Sequence, residues 1–394
     1  MQFPGRGSDP SARPPGALSA LLLGCFIFLL PSHAGPFELP GIHPDPVPFL
    51  LWDQLLTLRT GGGAKDNALL AAFNPQSTPL AIFGLEYFLH RLPVDANSVT
   101  FFFSGDERRY LTPATTAPGQ PDAPNERTLL SHLSLRHDGV HLSPGITFTH
   151  LAAEQVFDAT DLGGLPGTIR ASGHSFILTP SLRYRPVEPL FVEAAWVANR
   201  QLFKSPISSY WESGPRLTLG CTFSTNSSVE LSFQYTRRPF DSRLQTDPLG
   251  EPLFGTRLTN YDSRYEIAWR HTWLPRYRLQ STLRVFHLQR LENGEGFTDY
   301  TRIGGSLVAQ AELGRWTVRG LARWSSFDFD LQIVSVFDPV PRTRVITDFE
   351  GRLEYRWTQR FRTYAEFIHE RQHSNVPADR YRANTWQLGA EIDF

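Results

Sequence analysis

Apolar and polar residues alternate through most of the chain after residue 51, in segments of about ten residues bounded by turn residues. In the last segment one face carries Trp386, Leu388, Ala390, Ile392 and Phe394, and the other carries Thr385, Gln387, Gly389, Glu391 and Asp393. Successive side chains of a β-strand point to opposite faces, so a period of two predicts a strand here. No helical period of comparable length competes with it.

The same alternation recurs upstream, at 229–236, 265–273, 277–285, 316–324 and 349–357. Soluble antiparallel sheets also alternate, so an aromatic-rich β-sandwich is the alternative. Two features favour a membrane barrel instead. Several apolar faces begin and end with Trp or Tyr, as the girdles at the headgroups require. The polar faces carry Arg and Glu on strand after strand, which a packed interior would not tolerate.

The connectors between these segments alternate in length. The short ones lie at 92–96, 137–139, 186–189, 224–227, 274–275, 313–314 and 358–359. The long ones lie at 63–76, 111–125, 156–168, 203–211, 238–257, 290–297, 328–343 and 371–380. Outer-membrane barrels have short periplasmic turns and longer external loops. The sequence therefore predicts an all-β chain, a transmembrane antiparallel up-and-down barrel of about sixteen strands (fourteen to eighteen are compatible), with both ends on the periplasmic side.

The N-terminus predicts export from the cytoplasm. Arg6 and Arg13 precede an apolar run at 17–30, and small residues at Ser32 and Ala34 suit cleavage after Ala34. Residues 1–34 are thus interpreted as a signal peptide, 35–50 as a Pro-rich periplasmic lead-in and 51–394 as the barrel. In an alternative interpretation, Leu22-Leu23-Gly24-Cys25 is a lipobox and Cys25 is lipidated, although the apolar run continues beyond that cysteine.

The closing segment resembles the C-terminal signal by which outer-membrane proteins are passed to the barrel assembly machinery. The residues that carry this resemblance are Trp386, Leu388, Ile392 and the terminal Phe394. It implies a location in the bacterial outer membrane, with outer-membrane lipid and the assembly machinery as partners.

A second resemblance rests on residues 61–67 (Gly-Gly-Gly-Ala-Lys-Asp-Asn) and on 370–389, which look like the opening and last hairpin of a diverse group of uncharacterised barrels. Some members of that group act in export of surface proteins or polysaccharide.

Composition narrows the function classes. The net charge of -1 and pI of about 6.9 give no indication of nucleic-acid binding. The 29 Phe, 12 Tyr and 9 Trp suit aromatic girdles. Cleavage after Ala34 would leave Cys221 as the single cysteine, which excludes an intramolecular disulfide.

We find no catalytic motif and predict no cofactor, no metal site and no enzyme activity. His174 and Ser175 are adjacent, but neighbouring strand residues face opposite sides. Asp328, Asp330 and Asp338 could bind a divalent cation, and a solvated loop is the favoured interpretation.

The polar faces provide the candidate functional residues. The predicted pore-lining side chains are Arg264, Arg270, Arg278, Arg284, Arg319, Arg323, Arg352, Glu354, Arg356, Glu366, Glu391 and Asp393. They could form interstrand ion pairs that stiffen the wall, or a transverse field that ranks solutes by charge, and the two roles are compatible. The connectors 238–257 and 328–343 are candidate constrictions. The apolar stretch 331–337 is expected to fold inward or to extend a strand.

These features together predict a porin-like passive channel for small hydrophilic solutes. The alternatives are an export or binding barrel that works with periplasmic partners, a structural barrel without transport, and an outer-membrane hydrolase. A homo-oligomer is compatible with the size of the chain, but no residue marks its interface.

Overall fold

The computed structural model describes residues 52–94, 96–112, 125–158, 168–204, 207–335 and 337–394. The predicted signal peptide, the Pro-rich lead-in and the lipidation alternative at Cys25 lie outside these residues. In the part of the chain that is described, no helix has the length and apolar character needed to cross a membrane.

Sixteen antiparallel strands pair in sequence order and form a closed barrel. The strands are β1 (Trp52–Lys65), β2 (Thr78–Val94), β3 (Asn97–Tyr110), β4 (Glu126–His137), β5 (Leu142–Asp158), β6 (Thr168–Val187), β7 (Leu190–Phe203), β8 (Tyr210–Ser224), β9 (Ser227–Pro239), β10 (Thr259–Leu274), β11 (Leu279–Glu292), β12 (Tyr300–Leu313), β13 (Trp316–Ser335), β14 (Asp338–Arg356), β15 (Phe361–Ser374) and β16 (Tyr381–Asp393). The predicted fold class and strand number are confirmed.

The barrel closes where β16 pairs with β1. Gly62 lies opposite Leu388 in this register, and the Phe394 amide donates to the Leu56 carbonyl at 2.8 Å. Short turns lie on the side of the barrel where β1 begins and β16 ends, and the longer connectors lie on the opposite side. We call these the periplasmic and extracellular sides, following the asymmetry of outer-membrane barrels.

Two local expectations were wrong. The region 328–343 is a β-hairpin rather than a long loop, because β13 continues to Ser335 and β14 begins at Asp338. Residues 331–335 of the apolar stretch therefore extend β13, which is one of the two predicted outcomes. The segment 277–285 was also predicted to be strand throughout, but its strand begins only at Leu279. Residues Pro275–Tyr277 form a 3-10 turn, and Arg278 has a left-handed backbone (φ 45°) before β11 starts.

The outer face carries an apolar belt. Trp386 and Leu388 are 49% and 68% exposed although both are large and apolar. Near the periplasmic side, the Tyr355 ring packs edge-on between Trp316 and Trp357, with ring centroids 4.7 and 4.6 Å apart. A closed barrel leaves no unpaired strand edge, and an exposed apolar belt with aromatic residues at its margin suits contact with lipid.

The inner face is identified by contacts between strands that are not neighbours. Arg59 of β1 reaches Asp106 of β3 at 3.1 Å, and Arg352 of β14 reaches Glu391 of β16 at 2.5 Å. Side chains converge in this way only on the concave side of a closed sheet. Because alternate residues share a face, these contacts assign every strand an inward and an outward set.

Candidate functional site

Glu391 is the centre of the charged inner wall at the seam of the barrel. Its side chain is 1% exposed, and its carboxylate accepts from Arg59 Nε at 2.7 Å, from Arg352 at 2.5 Å and from Arg362 Nε at 2.5 Å. The three arginines come from β1, β14 and β15. A single carboxylate of the last strand thus ties together both sides of the closure.

Further carboxylates extend this arrangement, which we call the closure network. Its members are Arg59, Glu86, Asp106, Arg352, Glu354, Arg362, Glu366, Glu391 and Asp393. Three arginines stand against six carboxylates, so the network carries an excess of three negative charges. The interstrand ion pairs predicted from the sequence are present here, and the wall is acidic as well as braced.

A second part of the inner wall carries arginines of another kind. Arg270 on β10, Arg284 on β11 and Arg319 on β13 face inward and are exposed. Within the described part of the chain, none of these three side chains has a hydrogen bond or an ion pair. We call them the open arginines. Arg270 and Arg284, on β10 and β11, lie six and five strands from β16 in the ring of sixteen. Arg319 on β13 lies next to β14 of the closure network.

The surroundings of the open arginines are polar. Arg270 and Arg284 line a recess of about 60 Å³ together with Glu230 and Glu266. On β13, Arg323 is exposed and lies opposite Asp348 of β14 in the strand register. Arg270, Arg284 and Arg323 therefore lie exposed among other charged groups rather than in a packed core.

Above this level, arginine and phenylalanine side chains alternate across five neighbouring strands. Arg264 of β10 lies over the Phe286 ring at 4.2 Å, and Arg302 of β12 lies 5.3 Å from the same ring. Arg302 and Arg344 of β14 flank the Phe327 ring at 4.5 and 4.1 Å. We call this row the arginine–phenylalanine ladder. Cation–π contacts let the wall hold like charges close together while burying aromatic surface.

Sequence reasoning identified only Arg264 of this ladder. Arg302, Arg344 and Phe327 do alternate on the inward sides of their strands, and that was the available signal. The stacking itself depends on strand register, which the sequence pattern leaves open.

The connector 240–258 turns toward the inner face at the extracellular mouth. Phe240 and Leu258, at its two ends, pack with the inward-facing Tyr210. Arg243 lies 5.3 Å from the Phe240 ring, and burial together with the neighbouring Arg290 lowers the pKa of Arg243 to about 10. The constriction predicted at 238–257 stays a prediction. The residues where this connector joins its strands lie beside the inward-facing Arg238 and Arg290.

The other candidate constriction, the extracellular end of the β13–β14 hairpin, packs against its neighbours. Arg342 pairs with the buried Asp379 at 2.5 Å and also donates to Gln332 at 2.8 Å. Gln332 in turn donates to the Phe297 carbonyl at 3.1 Å. These contacts join the hairpin to the connectors 293–299 and 375–380 in one extracellular assembly.

The remaining predicted residues lie outside the closure network, the open arginines and the arginine–phenylalanine ladder. Arg356 ends β14 on the periplasmic side, whereas Arg278 lies in the turn before β11. Both are exposed, and Arg278 pairs with Glu312 at 3.1 Å. The side chains of the predicted assembly signal point outward: Trp386, Leu388, Ile392 and Phe394. No group of His, Cys, Asp and Glu suited to hold a metal occurs among the described residues, which include Asp328 and Asp330 but not the Asp338 side chain.

Ser175 and His174 do not form a catalytic pair. Ser175 faces inward, donates to Asn199 Oδ1 at 3.0 Å and accepts from Gln201 at 2.8 Å. His174 faces outward and stacks on His150, with ring centroids 5.5 Å apart. The hydroxyl therefore has amide partners and no histidine base.

Comparisons with known proteins give structural likeness only. No protein-family model and no curated protein matches the chain. Among solved structures, OmpTdeltaL8 of Vibrio cholerae, a loop-deletion mutant of the outer membrane protein OmpT, is similar at 11% identity over 87% of this chain and 99% of that one (TM-score 0.45). OccAB3 of Acinetobacter baumannii is similar at 8% identity over 88% and 99% (TM-score 0.44). CdiB of Acinetobacter baumannii is similar at 8% over 86% and 60% (TM-score 0.43).

We derive no function from these similarities. The location follows from the molecule itself. It is a closed sixteen-stranded barrel with an apolar outer belt, and its short turns lie on the side where β1 begins and β16 ends. The protein is a β-barrel of the bacterial outer membrane.

Proposed function

We propose that this outer-membrane barrel is a passive channel for small hydrophilic solutes and that the charged sectors of its wall rank those solutes by charge. The observation that carries the proposal is the set of open arginines, Arg270, Arg284 and Arg319, which face inward with no ion-pair partner among the described residues. An unpaired charge is costly in a dry interior. In a water-filled lumen it is stable and acts on passing solutes.

The size of the barrel supports this function. Barrel diameter grows with strand number, and barrels of sixteen to eighteen strands leave an aqueous channel. The sixteen strands here form such a wall. Its inner surface is charged through the middle of the strands, where a packed interior would need apolar side chains.

The two charged sectors support selectivity. The closure network has six carboxylates and three arginines, whereas the open arginines Arg270 and Arg284 lie on β10 and β11, further round the ring. The third open arginine, Arg319, lies at the border of the network, opposite Arg352. Separated sectors of opposite sign produce a transverse field, which orients and ranks solutes as rings of charged side chains do. The exposure of the open arginines favours interaction with anionic groups on the solute.

Single-channel recording in planar bilayers tests the proposal. The purified protein is expected to give stable conductance steps, and reversal potentials in a KCl gradient report its ion preference. The triple variant with Arg270→Gln, Arg284→Gln and Arg319→Gln is expected to keep conducting and to shift toward cations. The control is Arg237→Gln, which removes an exposed, outward-facing arginine of β9 and should leave the reversal potential unchanged. A silent barrel, or a triple variant with unaltered selectivity, would overturn the proposal.

A further inference from the structure

The outer face of the barrel has an apolar groove near the seam. The groove has a volume of about 1010 Å³, and its outward-facing lining combines small residues such as Gly62, Ala309 and Gly320 with the rings of Phe349, Phe367 and Trp386. Small residues form its floor. A Cβ built on Gly320 meets no atom within 4 Å, so the floor opens directly into the groove.

An aromatic row borders the groove. The rings of Phe349, Phe367 and Trp386 lie side by side on β14, β15 and β16, with centroids 6.4 and 5.7 Å apart. Exposed apolar surface of this extent in a membrane-facing wall must be covered by lipid chains or by another protein surface. The residues above the row indicate which of these it is.

The outward residues of β15 and β16 change from apolar to basic toward the extracellular side. Above Phe367 and Trp386, His369 pairs with Asn384 at 2.7 Å. The next outward pair is Arg371 and Arg382, which lie directly opposite each other in the strand register and are both exposed. Arg382 is four residues from Trp386, about 13 Å along an extended strand. This order matches the passage from hydrocarbon to headgroups.

Arg371 and Arg382 have no neutralising partner in the described part of the chain, since neither side chain has an ion pair or a hydrogen bond there. The nearby carboxylate of Asp66 is engaged by the side-chain amide of Asn384 at 2.6 Å. Like charges directly opposite each other on neighbouring strands are destabilising. A phosphate group between the two guanidinium groups would relieve that repulsion through charge-assisted hydrogen bonds.

We infer that this groove and arginine pair form a binding site for a phosphate-bearing lipid of net negative charge in the outer leaflet, with its acyl chains in the groove and its phosphate on Arg371 and Arg382. A second copy of the chain fits less well. In a two-fold dimer inserted in the same membrane, the same patch meets itself. That contact would bring four arginines together without adding an acidic group.

Arg319 and Arg352 of the inner wall also line the groove, but the two arginines of the site, Arg371 and Arg382, face outward and belong to neither the open arginines nor the closure network. The double variant Arg371→Gln, Arg382→Gln should therefore lose lipid while keeping wild-type conductance. Gly320→Leu should also lose lipid, since its side chain projects into the space the acyl chains would occupy. Arg237→Gln is the matched control, as an exposed outward arginine of β9 away from the groove.

The experiment uses delipidated protein in phosphatidylcholine vesicles that contain a small fraction of lipid A, with bound lipid measured by native mass spectrometry. Folding of each variant is checked by heat-modifiable migration on gels. We expect bound lipid A to fall about tenfold in the double variant, because the loss of charge-assisted hydrogen bonds weakens binding by about that factor. Bound lipid A should not change in the control.

Four results would overturn the inference. They are wild-type retention of lipid A by the double variant, equal retention of phosphatidylcholine, complete displacement of lipid A by inorganic phosphate, and a change in oligomer mass without a change in bound lipid. Lipid loss with unchanged conductance would support it.

Discussion

Arg319 and Arg352 lie opposite each other on β13 and β14, yet only Arg352 has carboxylate partners. Arg352 bonds Glu354 at 2.6 Å, Glu366 at 3.3 Å and Glu391 at 2.5 Å. The Arg319 side chain has no bonded partner within the described residues and is exposed. Two neighbouring arginines on one wall thus differ in role, one bracing the seam and the other facing the lumen.

This difference predicts that substitution by glutamine destabilises the barrel at Arg352 but not at Arg319. Arg352→Gln should lower the free energy of unfolding by about 3 kcal/mol, because it leaves buried carboxylates without their partner. Arg319→Gln should change stability by less than about 0.5 kcal/mol, because the side chain is exposed and the substitution breaks no ion pair among the described residues, while altering ion selectivity. Urea titration of both variants in detergent micelles measures the stabilities. Equal losses would contradict the distinction between the two arginines.

The arginine–phenylalanine ladder predicts a cost for removing its central ring. Phe327 is 0% exposed and lies between Arg302 and Arg344. Phe327→Leu should destabilise the barrel by about 2 kcal/mol, since it removes ring contacts and brings two guanidinium groups closer without the intervening π face. Thermal unfolding followed by circular dichroism measures the change. Phe254→Leu is the comparison, because Phe254 is 88% exposed in a connector and should be neutral.

The connector 293–299 predicts a pH dependence at the extracellular side. The Glu292 carboxylate holds this connector by accepting from the amides of Gly296 at 2.9 Å and Phe297 at 3.0 Å. Burial, with Glu292 and Asp330 nearby, raises the pKa of Asp299 from 3.8 to about 6. The ordered connector therefore binds this proton more tightly than a disordered one does.

The sign follows from that preference. The contribution of Asp299 is fully present below about pH 4 and is lost as the pH rises through about 6. Hydrogen exchange of residues 293–299, corrected for the intrinsic rate, should show weaker protection at pH 7 than at pH 4.5. Asp299→Asn should remove the pH dependence. A wild-type connector with equal protection at both pH values would refute the assignment.

The terminal aromatic predicts an effect on assembly rather than on the finished barrel. The Phe394 side chain is 63% exposed, and its backbone pairs with Leu56 at 2.8 Å, a bond that does not need the ring. Phe394→Ala should reduce the fraction of chain folded in the outer membrane, as expected if the assembly machinery recognises the closing strand. Stability of the purified barrel should change little. Fractionation and heat-modifiable migration measure the two effects, with Thr363→Ala as a control on the same face.

The sequence by itself determined the class of fold. Strict alternation fixes which side chains share a face, because successive strand residues point in opposite directions. Connector lengths then fixed the strand number and the sidedness, since tight turns and longer connectors alternate in an up-and-down barrel. The inward positions of residues such as Arg319 and Glu391 followed from period alone.

Only the tertiary structure decided which inward charges meet. Arg59 and Glu391 are 332 positions apart in sequence, and closure of β1 on β16 brings them to 2.7 Å. Period two does not encode register or curvature, and those two quantities place one arginine among carboxylates and leave another open to the lumen. The groove on the outer face arose in the same way, because small residues on five strands (β1, β12, β13, β14 and β15) align only once the barrel is closed.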